Sequence, residues 1–224
     1  HHILEGVFSS PTVTDPANVD QLLAVLPEIA DRVLDAAPDV EGFRETAWWR
    51  QTRAEIVEQV RRSLEGLADI SRGYELVACE LRFAHDHPLV IGGGEDRLLL
   101  QGVIDRVDRN EHGLRVIDYK TGGASAFTPK ALQDGRKLQL PLYALAVRDA
   151  FGLGDVAEGF YWHIRNAQKS KLFLSGYEGG VETACAVAVG WVQYAVHSIR
   201  DGEFSPSPPR EGCPPYCAAA GFCW

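Results

Sequence analysis

An α/β fold with a mixed central β-sheet, flanked by helices and preceded by a helical cap, is predicted by three observations. Two β-rich runs at 98–108 and 114–120 flank the turn signal Asn110-Glu-His-Gly113, and together read as a hairpin. Ahead of them, residues 20–36 and 43–69 repeat apolar side chains at helical spacing. Behind them, strands expected at 157–165 and 170–174 lie between helices expected at 129–151 and 180–201, an alternation that covers a sheet with helices. A chain of 224 residues, 46% of them hydrophobic, can bury one good core. The expected organisation is a helical part over 1–72, a core over 73–203 and a cysteine-rich tail over 204–224.

Residues 9–18, rich in Ser, Thr, Pro and Asp, read as a loop. Leu22, Leu26, Ile29 and Val33 then form a helical stripe, in which Pro27 marks either a kink or the helix start. After a break at 39–42 the stripe resumes through Ile56, Val60, Leu64 and Leu67. Trp48 and Trp49 are able to stack on bases, but aromatics on amphipathic helices more often serve packing. Residues 74–83 alternate as a half-buried strand, with Val77, Cys79, Leu81 and Phe83 inward and Glu80 on the other face, where an exposed glutamate is the plainer reading. His85, Asp86 and His87 lack ligand spacing. Pro88 and the triplet Gly92–Gly94 mark a hairpin connection there.

Along the central hairpin, Asp118 and Lys120 point the same way, and pairing brings Asp105 beside Asp118. Two carboxylates and an ammonium at one spot suit Mg²⁺ or Mn²⁺, hard cations that accept oxygen ligands and keep waters for chemistry. A lysine beside such a cation orients the attacking water and offsets charge in a phosphoryl transition state. An isolated Asp-x-Lys is more often a solvated ion pair. Here the apolar Val116-Ile117 run and the Thr121-Gly-Gly exit indicate a buried strand that delivers a functional end. Residues 121–128 form a flexible stretch able to admit a nucleic-acid strand. The following helix sets Gln139 and Tyr143 one turn apart, with Arg136 three residues ahead of Gln139 on the same face. Phe160, Trp162 and Ile164 share a strand face. Cys185, Val189, Val192, Val196 and Ile199 make the core stripe of the last helix.

A net charge of −9 excludes a free-standing, non-specific nucleic-acid binder. The charge is uneven, with eleven acids against four bases over 1–60 but eight bases against four acids over 120–171. A phosphate-facing surface therefore belongs in the second half, with Lys130, Arg136, Lys137, Arg165, Lys169 and Lys171 as candidates. No apolar run reaches membrane-spanning length and no secretory signal opens the chain, so a cytoplasmic protein is expected. The lack of any Met, even at position 1, points to a piece of a larger parent. No Gly-x-x-x-x-Gly-Lys-Ser/Thr motif occurs, so no nucleotide-driven motor is expected within this stretch. Cys213, Cys217 and Cys223 crowd the C-terminal end and favour metal or cluster ligation over disulfides. Three thiolates leave a [4Fe–4S] cluster one ligand short, and zinc is the second candidate.

Gly102-Val-Ile-Asp105-Arg-Val-Asp, Val116-Ile-Asp118-Tyr-Lys120-Thr-Gly and Gln139-Leu-Pro-Leu-Tyr143 together resemble the PD-(D/E)XK nucleases of the RecB and AddB type. The resemblance implies a restriction-endonuclease-like core and metal-dependent exonuclease activity on DNA, cut as a single strand fed by a helicase region or subunit of the parent. It assigns metal ligation to His1, from the match of His1-x-x-Leu4-Glu5, and to Asp105, Asp118 and the Tyr119 carbonyl. The same histidines read equally well as a tag remnant or a frayed terminus. Lys120 is implied to position water, Gln139 and Tyr143 to line the site, and Glu80 to support the metal. Arg136, Lys137 and Lys130 are expected on the DNA. The terminal cysteines resemble an iron–sulfur staple whose fourth ligand lies upstream of His1, although three residues separate the first pair where two are expected. Cys79 is a less favoured substitute. A stand-alone or CRISPR-associated nuclease, and a non-catalytic DNA-binding or scaffold module, are the alternative readings.

Overall fold

A computed structural model describes residues 1–204, Cys217 and Ala218. It divides into two compact units, His1–Val189 and Gly190–Trp224. The first opens with three helices, α1 (His2–Phe8), α2 (Val19–Val40) and α3 (Trp49–Ile70). The Asn18 side chain accepts a hydrogen bond from the Gln21 amide and so caps α2, which places Pro27 inside the helix rather than at its start. Helix α3 begins six residues later than its apolar pattern suggests. Phe43 instead folds back edge-on against Trp49, at 4.8 Å between ring centroids, and Trp48 is exposed.

Seven strands follow: β1 (Glu75–Phe83), β2 (Leu89–Ile91), β3 (Leu98–Leu100), β4 (Gly102–Asn110), β5 (Gly113–Lys120), β6 (Val156–His163) and β7 (Gln168–Phe173). Five of them make one sheet in the order β1-β4-β5-β6-β7. Only the β5–β6 pair is parallel, so the sheet is mixed, while β2 and β3 form a separate antiparallel ribbon. Asn110 pairs with Gly113, and Arg106 with Ile117, so one further step along the register sets Asp105 opposite Asp118. The middle of β4 and of β5 is buried on both faces.

One face of the sheet packs under the three helices. Ile117, Tyr119, Phe160, Trp162 and Ile164 join Leu4, Phe8, Leu22, Leu64 and Leu67 in a single apolar cluster. The Trp162 indole donates to Ser63 Oγ of α3 at 2.6 Å, which satisfies the ring nitrogen inside that cluster. The other face carries α5 (Gln139–Leu145), whose Leu140 amide donates to Tyr161 Oη at 3.1 Å.

The single helix expected over 129–151 is broken. A short α4 (Pro129–Gln133) ends at Asp134-Gly135, and Gly135 adopts φ 77°, a left-handed conformation that glycine takes without strain. The chain re-enters a helix only at Gln139 and finishes in a π-turn over Ala146–Ala150. Arg136 thus precedes α5 instead of sharing its face. The last helix, α6 (Gly180–Arg200), buries Cys185, but Ile199 is exposed, so its core stripe stops short of the C-terminal end. In the second unit, Trp191 meets Tyr194 edge-on at 5.7 Å.

Candidate active site

Strand β1 does not keep a strict alternation. Its register with β4 slips between Leu76 and Ala78, and Glu80 adopts φ 49°, which is uncommon for a residue with a Cβ. Leu76 and Cys79 therefore both pack toward the helical cluster, whereas Phe83 meets the Tyr143 ring at 5.9 Å instead of sharing their face. The same irregularity aims Glu80 at His1. Glu80 Oε1 lies 3.4 Å from His1 Nδ1, and His1 Nε2 lies 2.8 Å from Asp105 Oδ2. Asp105 Oδ2 also accepts the Tyr119 amide at 2.6 Å, which ties β4 to the strand carrying Asp118.

A second chain of contacts starts at Asp118. Its Oδ2 lies 2.6 Å from Lys120 Nζ. The contact is an ion pair rather than an aligned hydrogen bond, and this buried oxygen has no hydrogen-bond partner among the described residues. Lys120 Nζ donates to Gln139 Oε1 at 2.9 Å, and Gln139 Nε2 donates to Tyr143 Oη at 2.6 Å. Gln139 and Tyr143, one turn apart on α5, are thereby joined to the end of β5.

These charges perturb one another. The hydrogen bond to Asp105 holds the His1 imidazole above its ordinary pKa despite partial burial. Burial raises the Glu80 carboxyl above the usual carboxylate range. Burial, reinforced by the neighbouring Asp105, pushes Asp118 up to about 6 against the pull of Lys120. Tyr143 is pushed up to about 12, chiefly by burial, so it serves as a neutral hydroxyl. Carboxylates crowded in a semi-buried spot, with their charge only partly offset by Lys120, form an environment that a cation stabilises.

The donor set fits a divalent metal. One nitrogen of His1 and one oxygen each from Glu80 and Asp105 lie within 4.8 Å of one another. The Asp118 carboxylate, set opposite Asp105 on the same strand pair and ion-paired to Lys120, could supply a further hard ligand. Carboxylates with one imidazole suit Mg²⁺ or Mn²⁺. A model of the PD-(D/E)XK nuclease superfamily matches residues 1–224.

The chain belongs to the PD-(D/E)XK nuclease superfamily.

No curated protein matches it. The Asp118-x-Lys120 strand end and the Gln139-x-x-x-Tyr143 pair stand together here, as the contacts above show. Glu80, which the resemblance implied as support for the metal and whose alternation suggested an exposed glutamate, lies beside His1 and Asp105. The left-handed backbone at 80 redirects it, and composition and spacing give no sign of that. The basic candidates divide. Lys130 and Arg136 both bond Asp134, at 3.2 and 2.9 Å, while Lys137 places its ammonium 4.1 Å from the Phe127 ring centroid.

Behind the site, on the helical face of the sheet, lies a charged network that sequence reasoning passed over. Asp108 accepts from Arg106 Nε at 2.7 Å and from Arg115 Nη2 at 2.6 Å. Arg106 also donates to Ser71 Oγ, and Arg115 to the Ile70 carbonyl, both at the C-terminal end of α3. All three charged side chains are buried. Burial works against the Arg106 charge, but Asp108 and Tyr119 more than restore it and hold its pKa above the ordinary value. Of the expected iron–sulfur ligands, Cys213 and Cys223 lie outside the described residues, and Cys217 is half-buried. Cys79 sits in β1, where burial pushes its thiol up to about 11, a poor state for a thiolate ligand. No helix among the described residues is long and apolar enough to cross a membrane.

Proposed function

We propose that this domain hydrolyses phosphodiester bonds in DNA with Mg²⁺ or Mn²⁺ held by His1, Glu80, Asp105, Asp118 and the Tyr119 carbonyl. The observation that carries the reading is the meeting of two chains of contacts, Glu80–His1–Asp105 and Asp118–Lys120–Gln139–Tyr143, at neighbouring ends of β4 and β5. The bound cation supplies Lewis acidity and a lowered pKa for the attacking water. Lys120, held between a carboxylate and an amide oxygen, donates to that water or to the non-bridging phosphate oxygens as negative charge builds on them. Gln139 fixes the lysine, and Tyr143 fixes Gln139, so the ammonium is placed before substrate arrives. Asp105 reads its neighbour strand through the Tyr119 amide and so holds the two acids in register.

The finer reading is an exonuclease acting on single-stranded DNA within a helicase–nuclease that serves DNA repair or recombination, closed by an iron–sulfur staple at Cys213, Cys217 and Cys223 with a fourth ligand upstream. It rests on the sequence blocks around Asp105, Asp118 and Gln139. Cleavage of linear and circular single-stranded DNA, in Mg²⁺, in Mn²⁺ and in EDTA, tests both levels. The expected outcome is metal-dependent degradation of the linear strand, with the closed circle resistant and with Asp118→Ala and Lys120→Ala both down by at least about 100-fold. If the native protein and Asp118→Ala behave alike, the enzyme reading fails and a non-catalytic DNA-binding module replaces it. If circles are cut as readily as linear strands, the exonuclease assignment alone falls.

A further inference from the structure

Next to the site, a cavity of about 300 Å³ is lined by Ser125, Thr128, Ala131, Arg136 and Lys137. Its two walls are the segments that meet at the reacting centre. Ser125 follows Lys120 by five residues, Lys137 precedes Gln139 by two, and Lys120 Nζ is bonded to Gln139 Oε1 at 2.9 Å. Two residues reach at most about 7 Å, so the Lys137 backbone lies within that distance of the Gln139 backbone, whose side chain holds Lys120.

The cavity is furnished for an anion. Thr128 Oγ1 accepts the Ala131 amide at 3.2 Å, which leaves its own proton free to donate outward. Arg136 spends one nitrogen, Nη2, on Asp134 and keeps further donors. Lys137 has no carboxylate within ion-pair distance among the described residues. It rests over the Phe127 ring, which is itself packed against Tyr161 and His163 at 4.6 and 5.0 Å, so the ammonium sits on a fixed platform. Asp134 faces this group, but it is shared between Lys130 and Arg136 and leaves the cluster net positive.

We infer that the Ser125–Thr128–Arg136–Lys137 cavity binds an internal phosphodiester of the substrate strand, adjacent to the bond being cleaved. The assignment rests on the nuclease reading above and deepens it: the domain grips a strand by at least two successive phosphates. A strand short of the second phosphate lacks this anchor.

The test is binding of a fluorescent single-stranded oligonucleotide without terminal phosphates to the Asp118→Asn protein, followed by anisotropy over a range of salt. Lys137→Gln is expected to weaken binding about three- to tenfold and to lower the slope of log Kd against log salt by about 0.7, the value for one single-strand phosphate contact. Lys137→Arg restores the slope, and Arg72→Gln, which removes an exposed charge at the end of α3, leaves it unchanged. If Lys137→Gln keeps the original slope, or matches Arg72→Gln, the inference is overturned. It is also overturned if only strands carrying a terminal phosphate, or inorganic phosphate as competitor, register the Lys137 change, since the ligand is then a terminal or free phosphate. A Lys137-dependent slope in Asp118→Asn, together with a native protein that shows no metal-dependent cleavage, sinks the catalytic reading and leaves the strand-binding cavity standing.

Discussion

Replacing Asp118 by asparagine is expected to stabilise the metal-free domain while it abolishes cleavage. The Asp118 side chain is 1% exposed, and its pKa stands at about 6 against an ordinary 3.8. Its folded form therefore holds a proton more tightly than the unfolded chain does. Below about pH 4 the carboxyl is protonated in both states and the site costs nothing. As pH rises from there to about 6 the unfolded chain ionises first, and stability falls until the full cost is reached. At 1.36 kcal/mol per pH unit the gap amounts to about 3 kcal/mol. Asparagine keeps the volume and sheds the charge. It also loses the Lys120 pair, but that lysine is 26% exposed and retains Gln139. Allowing for this, the net gain is roughly 1–2 kcal/mol, or about 3–6 °C in Tm for a domain of this size. Melting in EDTA from pH 4 to pH 8 should show the variant level with the native protein at the acid end and above it from pH 6 upward. Saturating Mn²⁺ should raise the native Tm and close the gap. A native protein as stable as the variant at pH 7.5 in EDTA, or a gain of equal size at pH 4, would refute the reasoning.

Three other substitutions probe different parts of the structure. Asp108→Asn leaves Arg106 and Arg115 buried beside each other without their shared carboxylate, and should cost about 3–5 kcal/mol in urea unfolding. Gly102→Ala puts a Cβ 2.7 Å from the Phe83 ring and 3.4 Å from Tyr143; overpacking should cost about 1–3 kcal/mol, and a lowered kcat should accompany it as Tyr143 is displaced from Gln139. Glu80→Gln should weaken Mn²⁺ binding by about tenfold in calorimetric titration, whereas an affinity equal to the native value would remove Glu80 from the metal site.

The central hairpin was legible because several local signals agree there. Asn110 and Gly113 close a tight turn, and its register alone carries Asp105 opposite Asp118. Gln139 and Tyr143 were equally legible, since a four-residue spacing on any helix brings their side chains together. The break at Asp134-Gly135 carried a readable sign, a glycine where a helix ends, that the expectation of one helix over 129–151 passes over. Glu80 had no such sign. A one-residue slip in β1 and a left-handed residue depend on how β1 meets its partner strand, and alternation counted from sequence passes straight through both. Arg106, Asp108 and Arg115 were illegible for a different reason. Charged residues spaced along a strand ordinarily mark a wet face, and only the end of α3, with Ser71 and the Ile70 carbonyl, supplies the partners that allow their burial.

That network also answers a question the apolar pattern leaves open. Register is strongly specified when one face of a strand pair is apolar and the other polar, because a slip by one residue exchanges them. Strands β4 and β5 are buried on both sides: Val107 opposes Val116 on the face of Asp105 and Asp118, and Ile117 lies on the other with Tyr119. Hydrophobicity alone therefore discriminates poorly between the native pairing and a slipped one. The charges do discriminate. A slip of either strand parts Arg115 from Asp108, takes one guanidinium partner from Ser71, and drives Asp105 or Asp118 under the helices with no donor to meet it. Each misplaced ion costs several kcal/mol. Buried pairs of this kind add little to net stability when correctly formed, but they penalise the alternatives heavily. The arginine–aspartate network on the helical face thus acts on the site on the opposite face by excluding the pairings in which Asp105 and Asp118 do not meet.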